Sequence, residues 1–293
     1  MTDITVSAAL AQDIGARDRQ EDAALFHAPD VDEPTVAVLS DGMGGHDDGD
    51  LASRIIAREV FGELYIAAAR PEALRRQSVP VLRAALDSAN ARLQQHINAG
   101  HLSSNTGGTL ICATIQDNQL RWLSVGDSSL YLLRKGKISR LNELHSMATQ
   151  LDLMVAREQM DRKTALAHPD RSCLTSAITG AEIPKIDCAG TGQALESGDI
   201  VLLASDGINV LSDRQIRKIM HRKRGQDSEA ISAALLHAVT KRRAPDQDNT
   251  TVITLKVEGV PERRGWAFLP FSRRRMARHS AQAGVLPAPQ VQP

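Results

Sequence analysis

The chain has 293 residues, a formal net charge of zero, 42% apolar residues and only 3% aromatics. That length suffices for one large domain or two small ones, with a core that Leu, Ile, Val and Ala must fill. The balanced charge argues against a generic nucleic-acid binder, no apolar run is long enough to span a bilayer, and no basic region precedes an apolar stretch at the start. Nucleic-acid binding, membrane insertion and secretion are therefore not expected.

Residues 4–12 alternate and read as a first strand, and 15–23, GARDRQEDA, as a polar link carrying Arg17, Arg19, Glu21 and Asp22. Val36 to Leu39 is a short β-branched run, hence a buried strand, which Ser40-Asp41-Gly42 is expected to end. From Asp50 the pattern turns helical over 50–69, with Leu51, Ile55, Val60, Phe61 and Leu64 near one face. Pro71 and Pro80 bracket a link, and 81–97 reads as a second helix. Strands follow near 109–115, 120–126, 129–134 and 137–141, with hairpin turns at Asp117-Asn118 and Lys135-Gly136-Lys137. Residues 142–171 are polar and irregular, with a short helix at 150–160, and read as a flap between core strands. Short strands are expected at 172–178 and 183–189, a strong strand at 199–204, helices near 213–221 and 228–242, and a last strand at 250–257.

From Gly259 the character changes: residues 259–293 hold six arginines against one acid and show no periodicity. This reads as a disordered basic tail on a domain of residues 1–258. Cys112, Cys173 and Cys188 lack metal-ligand spacing and read as small core residues of a cytoplasmic protein. Strands in succession and helices in pairs predict an α+β fold of stacked antiparallel sheets covered by helices.

The chemistry is carried by repetition. Asp41 stands at the tip of an apolar strand with Gly42, Gly44 and Gly45 after it. One Asp-Gly is a common turn dipeptide. IVLLASDG at 200–207 repeats the design with Asp206, and DQDNTTVITLKV at 246–257 mirrors it with Asp248 and Asn249 just before a strand. Three acids at strand ends, each beside a Gly or Asn, point to one shared site for a hard cation, because a strand fixes a carboxylate and glycine leaves room for water.

The ordered set RDRQEDA (17–23), SDGMGGHDDGDLAS (40–53), TGGTL (106–110), VGDSSLYLLRKGKISRL (125–141), GDIVLLASDG (198–207) and DQDNTTV (246–252) resembles the bacterial form of the protein phosphatase 2C family of metal-dependent phosphatases. The resemblance implies a four-layer α-β-β-α sandwich of two mainly antiparallel sheets flanked by helix pairs. It implies hydrolysis of phosphoserine and phosphothreonine in proteins by a water shared between two Mn²⁺ or Mg²⁺ ions. By that resemblance Asp41 bridges the two ions, and the Gly42 carbonyl and Glu21 serve the second, with Asp22 in an outer-shell role. Asp206 and Asp248 complete the first, Asp127 with Asp206 holds a third, weaker ion, and Arg17 grips the substrate phosphate. It also implies phosphoprotein substrates, an opposing Ser/Thr kinase and a monomer.

The chain departs from the family pattern at several points. Met43 stands where animal relatives of the family carry a histidine and cannot donate a proton, so the leaving group is expected to take one from a water on a metal or to have no dedicated acid. Gln20 replaces Asn, and Leu144-His145-Ser146 replaces Asp-His-Ser. His46, three residues further on, is a second candidate for the proton donor but is expected to pack or hydrogen-bond in its loop, and Asp47, Asp48 and Asp50 to lie in a solvated loop and at a helix N-terminus. The alternative reading is a catalytically silent scaffold that binds phosphoproteins. A third is a metal-binding regulatory module whose tail, with Trp266, Phe268, Phe271 and Arg273 to Arg275, docks on a membrane.

Overall fold

A computed structural model gives the fold and describes residues 4–29, 33–44 and 48–259. His46 and Asp47, and nearly all of the basic tail, lie outside the described residues. The chain runs β1 (Ile4–Asp13), β2 (Asp22–His27), β3 (Thr35–Met43), α1 (Gly49–Ala68), α2 (Pro71–Arg76), α3 (Ser78–Asn98) and β4 (Gly107–Gly108). Next come β5 (Leu110–Gln116), β6 (Gln119–Val125), β7 (Ser129–Arg134), β8 (Lys137–Arg140), α4 (Met147–Ala156) and α5 (Arg162–Leu166). β9 (Asp187–Cys188), β10 (Gln193–Ala194), β11 (Ile200–Ala204), a 3-10 turn at Asp206–Val210, α6 (Asp213–Lys223), α7 (Ser228–Thr240) and β12 (Thr250–Gly259) complete it.

The strands form two antiparallel sheets. One has the order β1-β12-β11-β7-β8, and the other β10-β6-β5-β3-β2, with β4 on β3 and β9 on β6. Strand pleating explains why β3 reads as an unbroken apolar run. Val36 and Val38 point to α1 and α3, where they pack with Val60, Leu64 and Leu86. Ala37 and Leu39 point the other way, into a layer shared with Val201, Leu203 and Ile253 of the facing sheet. Buried on both faces, such a strand cannot alternate in polarity. On the outer side of the first sheet, Tyr131, Leu202 and Val252 pack with Ile216, Leu235 and Val239 of α6 and α7. The result is the four-layer α-β-β-α sandwich.

Both predicted hairpin turns form with two-residue loops. Asp117 and Asn118 have φ of 51° and 60°, and Lys135 and Gly136 have 50° and 78°, the left-handed pair that matches strand twist. Elsewhere the structure corrects the sequence reading. Residue 22 is not in a link but opens β2, which pairs with β3 along its length. β3 does not end at Ser40 to Gly42 but continues to Met43, because Gly42 and Met43 pair with Gly108 and Gly107. Residues 172–178 and 183–189 do not form two strands; two isolated bridges, Ser146↔Leu174 and Gly108↔Ile178, and the two-residue β9 stand there instead. The expected helix at 150–160 forms earlier, at Met147–Ala156, and the 71–80 link contains α2. Cys112 is buried as expected, but Cys173 is exposed and Cys188 only half-buried.

Candidate active site

The pleat that fills the inter-sheet layer also builds the site. Ala37, Leu39 and Asp41 share one face of β3, so Asp41 continues the inter-sheet column at its open end. Asp22 on β2 stands directly opposite Asp41. Asp206 follows β11 by two residues, Asp127 follows β6 by two, and Asp248 precedes β12 by two. A cavity of about 670 Å³ is lined by Arg17, Glu21, Asp41, Gly42, Asp127, Asp206 and Asp248. Seven of the eight residues expected at the site therefore meet in one cavity, and Asp22 lies buried behind it.

Hydrogen bonds fix the acids. The Asp41 N–H donates to Thr109 Oγ1 at 3.0 Å, and the Thr109 N–H donates to the Asp41 carbonyl at 2.8 Å. Ser205 Oγ donates to Asp22 Oδ2 at 2.8 Å and accepts the Thr251 N–H at 2.9 Å. The Gly42 N–H donates to the Glu21 carbonyl at 3.0 Å. Glu21 lies against the start of α1, where a Cβ on Gly49 would stand 2.7 Å from Glu21 Oε1 and the carboxylate would have to shift. Arg17 Nη2 donates to Asp248 Oδ2 at 2.7 Å. The Gly126 N–H beside Asp127 donates to His145 Nδ1 at 3.2 Å, and the His145 N–H donates to the Gly126 carbonyl at 2.8 Å. Burial holds His145 below its ordinary pKa, as suits an uncharged ring that accepts at Nδ1.

The acids disturb one another. Burial, followed by the charges of Asp22, Asp206, Asp127 and Asp248, pushes Asp41 well above the usual carboxylate range. Burial and then Asp206 push Asp127 up to about 7. Burial and then Asp248 push Asp206 up to about 6, with Arg17 opposing. Burial lifts Asp22 to about 6 against its hydrogen bonds, and burial also raises Glu21. Such a concentration of buried negative charge is costly unless a cation offsets it.

The residues present fit a divalent ion. Asp206 Oδ1 and Asp22 Oδ1 are buried acceptors without a hydrogen-bond partner. The acidic donors are all oxygen, which suits Mg²⁺ or Mn²⁺ rather than a soft metal. Among the described residues no group of three His, Cys, Asp or Glu forms a metal cage as it stands. That is compatible with a hydrated hard cation, which takes one or two carboxylates and keeps several waters.

The cavity is also lined by residues 172–177 with Thr179, Glu182 and Pro184. This stretch begins where the expected flap ends. Sequence reasoning also assigned no task to Thr109, Ser205, His145 or Asn249, which hold the acid-bearing backbone. Ser205 and Asn249 each adjoin an acid, in the ASDG and DNTT stretches, and Thr109 stands in the TGGTL stretch of the same ordered set, and that was the available signal.

A sandwich with an acid-lined cavity at the open end of its inter-sheet layer defines a metal-dependent phosphatase-type fold. The family model of protein phosphatase 2C matches residues 13–247, and the chain belongs to that family. It is 26% identical over 227 residues to the serine/threonine phosphatase Stp of Listeria welshimeri, covering 77% of this chain and 85% of that one. The crystal structure of the Mycobacterium tuberculosis serine/threonine phosphatase PstP/Ppp superposes with a TM-score of 0.72 at 25% identity, over 87% of this chain and 99% of that one. A PstP catalytic domain solved with two manganese ions superposes at 0.70 and 24% identity, over 87% of this chain and 100% of that one.

Proposed function

We propose that the chain is a metal-dependent serine/threonine protein phosphatase that hydrolyses phosphoserine and phosphothreonine in proteins. The observation that carries this is the convergence of Glu21, Asp41, Asp127, Asp206 and Asp248 with Arg17 in one cavity. Family membership and the names of the relatives support it.

Asp41, Glu21, the Gly42 carbonyl, Asp206 and Asp248 would hold two Mn²⁺ or Mg²⁺ ions, and Asp127 with Asp206 a third, weaker one. When bound, such ions lower the pKa of water and offset charge on a phosphoryl group. Arg17 is the one Lys or Arg among the described lining residues. Its planar guanidinium can take two phosphoryl oxygens at once, which a lysine cannot. In doing so it exchanges its bond to Asp248 for the phosphate. Thr109 and Ser205 keep the carboxylate-bearing backbone in register while this happens. Met43 lines the cavity and has no proton to give, so it is not the acid for the leaving oxygen.

The reading carries with it phosphoprotein substrates, an opposing Ser/Thr kinase, a cytoplasmic location and a monomeric state. It places the catalytic domain at 1–258 and a separate basic segment at 259–293. Among the described residues no helix is long and apolar enough to cross a membrane. A silent scaffold would not require the full carboxylate set. The deciding experiment is release of phosphate from a phosphothreonine peptide and from p-nitrophenyl phosphate, with Mn²⁺ and with a chelator. Turnover only with Mn²⁺ is expected, and no turnover in excess Mn²⁺ would leave the scaffold reading.

A further inference from the structure

We propose that Asn249 is the positioning residue that sets where Arg17 and Glu21 stand, by strapping the loop between β1 and β2 to the start of β12. The loop, residues 14–21, carries both side chains and forms no strand or helix. Its own short fastenings lie at the two ends, where the Gly15 N–H donates to Asp13 Oδ1 at 2.8 Å and the Asp22 N–H to Gln20 Oε1 at 3.0 Å; the Arg17 N–H reaches the Ile14 carbonyl, and Gln20 Nε2 the Asp13 carbonyl, only at 3.4 Å. Partners outside the loop fasten the stretch between those ends.

Asn249 is buried, and its side-chain amide is spent entirely on this loop. Oδ1 accepts the Glu21 N–H at 2.7 Å, while Nδ2 donates to the Ile14 carbonyl at 2.8 Å and to the Arg19 carbonyl at 2.9 Å. One N–H and two carbonyls can be satisfied by the amide in only one orientation, and no other side chain of that length carries both functions. The three contacts bracket Arg17 on both sides and end on Glu21. Neighbouring residues add to the strap. The Ala16 N–H donates to the Gln247 carbonyl at 2.8 Å. Gly15, at φ +66°, passes so close that a Cβ would stand 2.5 Å from the carbonyl oxygens of both Gln247 and Asp248.

The same strand end thus supplies Asp248 to the cavity and fixes the loop that supplies Arg17 and Glu21. Cutting the Asn249 contacts leaves the acids of β3 and β11 in place but loosens the loop that carries the arginine and one glutamate, which then keeps its ties from Glu21 to Gly42, Ala16 to Gln247 and Arg17 to Asp248. Phosphate binding then suffers more than the chemical step. The kinetic part of this inference rests on the phosphatase reading; the structural part does not.

Two variants test it: Asn249→Ala removes the three contacts, and Gly15→Ala forces the loop off residues 247–248 without removing a polar group. Amide hydrogen exchange of the metal-free proteins is compared with wild type. Exchange of residues 14–21 is expected to rise about tenfold or more in both variants, with β11 and β12 unchanged. Steady-state kinetics on p-nitrophenyl phosphate at saturating Mn²⁺ is the second readout. KM and the inhibition constant for inorganic phosphate are expected to rise about tenfold, with kcat within about threefold. The proposal is overturned if Asn249→Ala leaves exchange at 14–21 as in wild type, or raises it equally in β11 and β12. It is also overturned if kcat falls tenfold while KM holds. If wild type itself releases no phosphate, the phosphatase reading fails, and the exchange result still decides the strap.

Discussion

On one side of the cavity Asp41, Asp127, Asp206 and Asp248 each stand within two residues of a strand, and Thr109, Ser205 and Asn249 tie the backbone beside them. On the other side residues 172–184 run as a loop, joined to the rest by the bridges Ser146↔Leu174 and Gly108↔Ile178. The first set is acidic and held by strand pairing and hydrogen bonds; the second is mostly hydroxyl and small side chains, with Glu182 its single charge. Like charges that must stay close need a scaffold that cannot relax away from them, and a two-sheet core supplies it. A surface that meets varied protein segments has no such need. The contrast predicts that the catalytic demand falls on the acids at the strand ends and not on the loop.

The sharpest way to break this division is to neutralise a strand-end acid. Asp206→Asn keeps the shape but removes a charge, and kcat/KM with Mn²⁺ is expected to fall by about 100-fold or more, beyond what loss of a supporting residue costs a metal site. Retention of wild-type turnover would remove Asp206 from the site. Arg17→Ala should come next, raising KM for p-nitrophenyl phosphate about 10- to 100-fold, the worth of charge-assisted hydrogen bonds to an anion. Mn²⁺ affinity, read by calorimetry, should stay within about twofold, since arginine ligates no metal; a variant that no longer binds Mn²⁺ would show that Arg17 has been given the wrong task.

Ser205→Ala sharpens the claim of rigidity. It deprives Asp22 Oδ2 and the Thr251 N–H of a partner. A loss of roughly 1–3 kcal/mol in denaturant unfolding is expected, and an unchanged midpoint would mean that the wall does not depend on this tie. The smallest effect belongs to the loop wall. Ser172→Ala should change stability by no more than about 0.5 kcal/mol and leave Mn²⁺-dependent turnover of p-nitrophenyl phosphate near wild type. A large loss of turnover would place chemistry on the loop side.

The same contrast explains what was legible in the sequence. Asp41, Asp206 and Asp248 were visible because each sits at the end of an apolar run, a pattern local to a few residues. Their convergence was legible only through repetition and family resemblance. β2 was not legible: Asp22, Ala23 and Ala24 have weak strand propensity, and the segment becomes a strand because β3 is there to pair with it. The extension of β3 through Gly42 and Met43 depends on Gly107 and Gly108, 64 or more residues away, and glycine is a poor strand former. Residues 172–189 have enough apolar character to suggest strands, but their partners offer only single bridges. Asn249 was legible only as the neighbour of Asp248, because its three partners lie 228 to 235 residues away.

The central claim is that separated carboxylates form one cradle for divalent cations. Titration calorimetry of Mn²⁺ into the metal-free wild type and into Asp41→Asn tests it most directly. Wild type should bind at least two ions per chain, and Asp41→Asn should lose both at the same concentrations, because the bridging carboxylate is gone. Absence of Mn²⁺ binding to wild type, or an unchanged number of ions in Asp41→Asn, would contradict it.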